Sequence, residues 1–166
     1  MDIISFFKEK GMKWPFKSKT PPSTSFPIGP YRLDMQISEL TGLREFSKIE
    51  YRTITRHFKG ERIYRVPDLD FLSYSWKILL NIVNHKIYII TAYIETKDKD
   101  LANGAIMNAF LHCKDLMGEP MKQRSEMFIW KAIDGDVALK TKQVTEGFKI
   151  TLILTSKAVR NIPPLR

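Results

Sequence analysis

One helical stretch set between runs of strand-like sequence is the strongest constraint on this chain. From Lys99 to Met117, Leu101, Ala105, Ala109, Cys113 and Leu116 fall on one stripe, with Ile106 and Phe110 beside it. Asp98 stands where an N-cap belongs, and Gly118 followed by Pro120 forms a stop. Asn103-Gly104 weakens the first turn, which predicts a helix that starts late. On both sides the pattern changes to short β-rich runs: Ile49 to Phe58, Glu61 to Val66, SWKILLNIV and KIYIITAYIE before the helix, then EMFIWKAI, VALKTKQ and GFKITLILT after it. Strands, one long helix and strands again predict an α+β domain. Its sheet is mainly antiparallel, about six to seven strands built from hairpins, with the helix on one face and short helices near the N-terminus.

Turn chemistry predicts the pairing. With Asn84-His85 as a two-residue loop, Ile82 faces Ile87, Leu80 faces Ile89, Ile78 faces Thr91 and Trp76 faces Tyr93. With Asp134-Gly135 as the next, Ala132 faces Val137, Trp130 faces Leu139 and Phe128 faces Thr141. Each hairpin then has one apolar face. Asp34 is placed to cap a short helix through Ile37 and Leu40 that ends at Gly42.

The domain is expected over residues 31–160. Residues 1–30 read as a basic arm with a short apolar helix and a Pro-rich connector, and 161–166 read as a tail. The first twenty residues hold five lysines against Asp2 and Glu9, so the arm either packs on the domain or meets an anionic surface. The apolar stretch Ile3 to Phe7 is too short for a signal-peptide core, and no run is long enough to span a bilayer. A soluble cytoplasmic protein is the expectation.

Lys plus Arg outnumber Asp plus Glu by 27 to 18, a formal charge of +9, which favours an acidic partner. The residues proposed to meet it lie in EYRTITRHFKGERIYRV. A hairpin turning at Lys59-Gly60 puts Tyr51, Tyr64 and Val66 on one face. Arg52, Ile54, Arg56, Phe58, Ile63 and Arg65 take the other. Guanidinium forks among apolar side chains suit an interface centre. The competing reading is a solvated face whose arginine stems cover apolar neighbours.

Catalytic signatures are lacking. There is no GxSxG, P-loop or GxGxxG. The pairs Asp68/Asp70, Asp98/Asp100 and Asp134/Asp136 are weak metal candidates, and His57, His85 and His112 are scattered. Cys113, the only cysteine, is expected to be buried and inert. No catalytic residue, cofactor or metal site is therefore assigned.

FPIGPYRLDM before a short helix, a helix closing in MGEP and the IWKAIDGD hairpin together resemble a loose group of small bacterial α+β domains of unknown function. The resemblance spans about residues 26–156. It implies no catalytic residues and is compatible with protein interaction, including toxin-neutralising immunity proteins. The leading expectation is a non-enzymatic binder of an acidic protein surface, a toxin among the candidates. Nucleic acid or another polyanion is the runner-up partner, and an enzyme with an unrecognised site the third reading.

Overall fold

The computed structural model describes residues 25–40, 44–45 and 58–162. Residues 1–11, where a first short helix is expected, and Gly42 lie outside them. Seven strands of three residues or more form one antiparallel sheet: β2 (Arg62–Phe71), β3 (Tyr74–Val83), β4 (Lys86–Thr96), β5 (Lys122–Arg124), β6 (Met127–Lys131), β7 (Gly135–Val144) and β8 (Gly147–Ser156). A two-residue strand, β1 (Arg44–Glu45), brings the count to eight, in the order β1-β2-β3-β4-β8-β7-β6-β5. The helix α1 (Lys99–Met117) joins β4 to the far edge strand β5, and the chain then meanders back until β8 pairs with β4. An α+β fold with an antiparallel sheet and one packed helix is what the sequence pattern predicts.

The helix ends where its caps dictate. The Asp98 carboxylate accepts from the backbone N–H groups of Asp100 (2.8 Å) and Leu101 (3.1 Å). At the other end Gly118 takes φ 78° and donates its N–H to Lys114 O at 2.8 Å. Trp130 Nε1 donates to the Gly118 carbonyl at 3.0 Å, tying the helix end to β6. The buried stripe is Ala102, Ala105, Ile106, Ala109, Phe110, Cys113 and Met117. Leu116, expected on that stripe, is exposed, because Met117 takes the buried position in the last turn. The helix does not start late. Gly104 is accounted for by packing instead, since a Cβ there would lie 1.9 Å from the Tyr74 hydroxyl.

α1 packs on the middle of the sheet, over β8, β4, β7 and β6. The face beneath it carries Trp76, Ile78 and Leu80 from β3, Ile90, Ala92 and Ile94 from β4, Ile150, Leu152 and Leu154 from β8, Val137 and Leu139 from β7, and Phe128 and Trp130 from β6. Phe110 of the helix meets Phe128 and Trp130 with ring centroids 4.9 and 5.6 Å away. At about 25 cal/mol per Å² of apolar surface, this layer dominates the stability of the fold.

Two hairpins correct the predicted registers in instructive ways. Asn84 (φ 50°) and His85 (φ 64°) do form the turn, and Ile82 does face Ile87. A bulge at Tyr88 then shifts β4 by one, so Leu80 faces Ile90 and Ile78 faces Ala92. Ile89, Thr91 and Tyr93, expected in the core, therefore lie on the face opposite α1. Between β6 and β7 the loop is Ile133-Asp134, one residue earlier than predicted, with Ala132 N donating to Gly135 O at 2.8 Å. Trp130 consequently faces Val137 and Phe128 faces Leu139. Moving a two-residue loop by one changes the partner by two, so every side chain keeps its predicted face.

Other local expectations change. Asp34 caps no helix; it sits at φ 63° and accepts from Ser156 Oγ at 2.9 Å, while Ile37–Glu39 is a single 3₁₀ turn. Asp68 and Asp70, beyond the strand expected to end at Val66, belong to β2, which continues past a bulge between Val66 and Leu69. Phe26 and Ile28, expected in the connector, are fully buried members of the core.

Candidate functional site

The face of the sheet without α1 holds a band of half-buried residues crossing five strands: Leu79, Thr91, Ile153, Ala138 and Ile129. The next row is polar and basic, with Lys77, Tyr93, Thr151, Lys140 and Met127, then Arg124 at the edge. Over β5 to β8 the two rows open into a groove of about 540 Å³. Its floor is Met127, Thr151 and Ile153, and its cations are Arg124, Lys140, Lys142 and Lys149. Glu126, in the Ser125-Glu126 turn, is the carboxylate on its rim.

The four cations are not equivalent. Lys149 Nζ lies 3.0 Å from Glu95 Oε1 and 4.5 Å from the Tyr93 ring centroid, so its charge is locally answered. Lys77 Nζ approaches the same ring at 5.9 Å. Arg124, Lys140 and Lys142 are exposed and form no ion pair among the described residues. Lys140 and Lys142 are alternate residues of β7, so strand geometry puts both on one face. Arg124 joins Lys140 on one transverse row through Met127, two strands away. Unanswered positive charge beside an apolar floor can attract and orient an anionic partner.

The residues proposed from sequence are distributed differently. Arg52, Ile54 and Arg56 lie outside the described residues. Phe58 is half-buried beside the Lys59-Gly60 turn, where its carbonyl accepts from Glu61 N at 3.2 Å. Tyr64 and Val66 point into the core layer, and Ile63 and Arg65 take the opposite face, as the period of two requires. Ile63, however, is fully buried, with no surface to offer a partner. Beside it Asn81 Nδ2 donates to Glu61 Oε1 at 2.7 Å in a buried contact. Arg65, half-buried, lies 3.7 Å from Asp68 and shares the helix-free face with the groove.

No group of three or more His, Cys, Asp or Glu among the described residues could hold a metal ion. Asp98 and Asp100 serve the helix start, and Asp136 lies exposed on β7 while its neighbour Asp134 sits in the turn. Burial raises the Asp134 carboxyl above its ordinary range, and nearby Asp34 adds to that. Burial likewise pushes the Cys113 thiol far up, leaving no thiolate to react. His112 lies edge-on to Phe26 and Phe71, each ring centroid 5.4 Å away.

Arg124, Lys140, Lys142 and Lys149 escape sequence reasoning because their numbers are scattered. The one local signal is the alternation in VALKTKQ, which places two lysines on the polar face of a strand. Fold and site together define an α+β protein with a helix-free basic sheet face. No protein family, curated protein or solved structure matches the chain. No helix among the described residues is long and apolar enough to cross a membrane.

Proposed function

We propose that this protein is a non-enzymatic interaction protein that engages an acidic surface of a protein partner through the helix-free face of its sheet. One observation carries the reading: Arg124, Lys140 and Lys142 line one groove, and none of them forms an ion pair among the described residues, Glu126 on the rim included. Long-range attraction to such a patch raises association rates, and Met127 and Ile153 supply desolvated contact beneath it. A toxin-neutralising role is one concrete form of this function, because acidic enzyme surfaces are blocked well by a complementary basic face.

Nucleic acid is the weaker reading. A single-strand binder needs aromatic faces for bases to stack on, and Tyr93, the aromatic beside the groove, already has ammonium groups near its ring. The test is Lys140→Glu with Lys142→Glu. The double variant should fold like the parent by circular dichroism. It should also lose direct binding to a partner first identified by copurification and then purified. Unchanged affinity for that partner removes this face from the function.

A further inference from the structure

Resting on that reading, we infer that the groove takes an extended acidic segment of the partner whose carboxylates occupy alternate positions. Lys140 and Lys142 are two apart on β7, exposed and on one face. Strand geometry roots them about 6.6 Å apart, the spacing at which an extended peptide repeats the side chains of one edge. A Glu-x-Glu or Asp-x-Asp pair running along β7 therefore meets both ammonium groups without bending. Adjacent carboxylates point to opposite sides of an extended chain and reach only one of them.

The remaining walls limit what else fits. Arg124 stands across Met127 from Lys140, roughly 9–10 Å away at two strand spacings, and its guanidinium can fork a further carboxylate from the far wall. Met127 and Ile153 between them suit an aliphatic side chain of the same segment. Glu126 bounds the basic stretch at the turn, and the Lys149–Glu95 pair bounds it on β8, so the attraction covers only a few residues. A second copy of this chain is a poor occupant, because a two-fold contact would oppose the same cations.

The experiment uses the full chain and short fluorescent peptides in a Ser/Thr/Val background. One carries a central Glu-Thr-Glu, one the same composition with adjacent glutamates, and one Gln-Thr-Gln; an oligothymidylate of similar length is the fourth probe. Polarisation titrations at low salt should show the alternating peptide binding several-fold tighter than the adjacent one, and Gln-Thr-Gln not binding. Lys140→Gln with Lys142→Gln should weaken the alternating peptide about tenfold. Equal affinity for both acidic peptides, still lost in the double variant, overturns the spacing and keeps the acidic-partner reading. Binding that ignores the double variant, or no acidic-peptide binding, overturns both. Oligothymidylate binding tighter than either peptide overturns both in favour of nucleic acid.

Discussion

Lys149 holds its ammonium 4.5 Å from the centre of the Tyr93 ring, and Glu95 meets the same ammonium at 3.0 Å. This lysine is therefore committed within its own sheet, whereas Lys140 on the neighbouring strand is not. Lys149→Gln should change partner affinity less than twofold, while Lys140→Gln weakens it several-fold at low salt. Raising the salt should shrink the Lys140 effect, since exposed charges are screened over about 8–10 Å. Titration of the two single variants in parallel checks the ranking, and equal losses would contradict it.

Gly104→Ala should show opposite signs with and without the Tyr74 side chain in a double-mutant cycle. A Cβ at Gly104 would meet the Tyr74 hydroxyl at 1.9 Å and its ring carbon at 3.0 Å, so Gly104→Ala should destabilise by about 1–3 kcal/mol. In a Tyr74→Ala background the contact is gone. There the same change should stabilise by about 0.5–1 kcal/mol through helix propensity. Urea unfolding of all four proteins measures both numbers.

Acid should weaken the fold through His112. Burial holds its pKa below the ordinary value, with Asp115 opposing, so the folded state prefers the neutral ring. Between the folded pKa and about 6.5 the unfolded chain binds more protons. The histidine's contribution is thus complete above that upper bound and declines as pH falls through the window. His112→Leu should remove that part of the slope when urea midpoints are compared at about pH 7.5 and pH 5.5.

Asn108 should matter more than its half-buried surface suggests. Its Nδ2 donates to Leu72 O at 3.0 Å, holding a turn in which Leu72 (φ 52°) and Ser73 (φ 68°) both sit in the left-handed region. Trp76 Nε1 anchors the neighbouring Phe71 carbonyl at 2.8 Å. Asn108→Ala should cost about 1–3 kcal/mol by leaving the Leu72 carbonyl without its donor. Leu72→Gly should recover part of that loss by relieving the backbone. Thermal melts of the single and double variants read the recovery directly.

Much of the fold was legible because it follows local rules. Asp98 and Gly118 bracket the helix, Asn84-His85 tolerates the positive φ of its turn, and period-two alternation assigned β6 and β7 to the correct faces. The Leu72-Ser73 turn was illegible because neither residue favours left-handed backbone; a helix side chain and an indole hold it from outside. The bulge at Tyr88 was equally hidden. It moved Ile89, Thr91 and Tyr93 out of the core and so supplied β4's part of the helix-free face.

Cap chemistry, turn residues and side-chain periodicity, all readable within a few positions along the chain, determined an antiparallel α+β fold, and composition alone determined an excess of positive charge. Where that charge gathers was decided only when β5, β7 and β8 came together, because Arg124, Lys140, Lys142 and Lys149 become neighbours through inter-strand pairing. Register is a non-local property set by packing beneath the sheet, and the basic groove is its consequence on the opposite side.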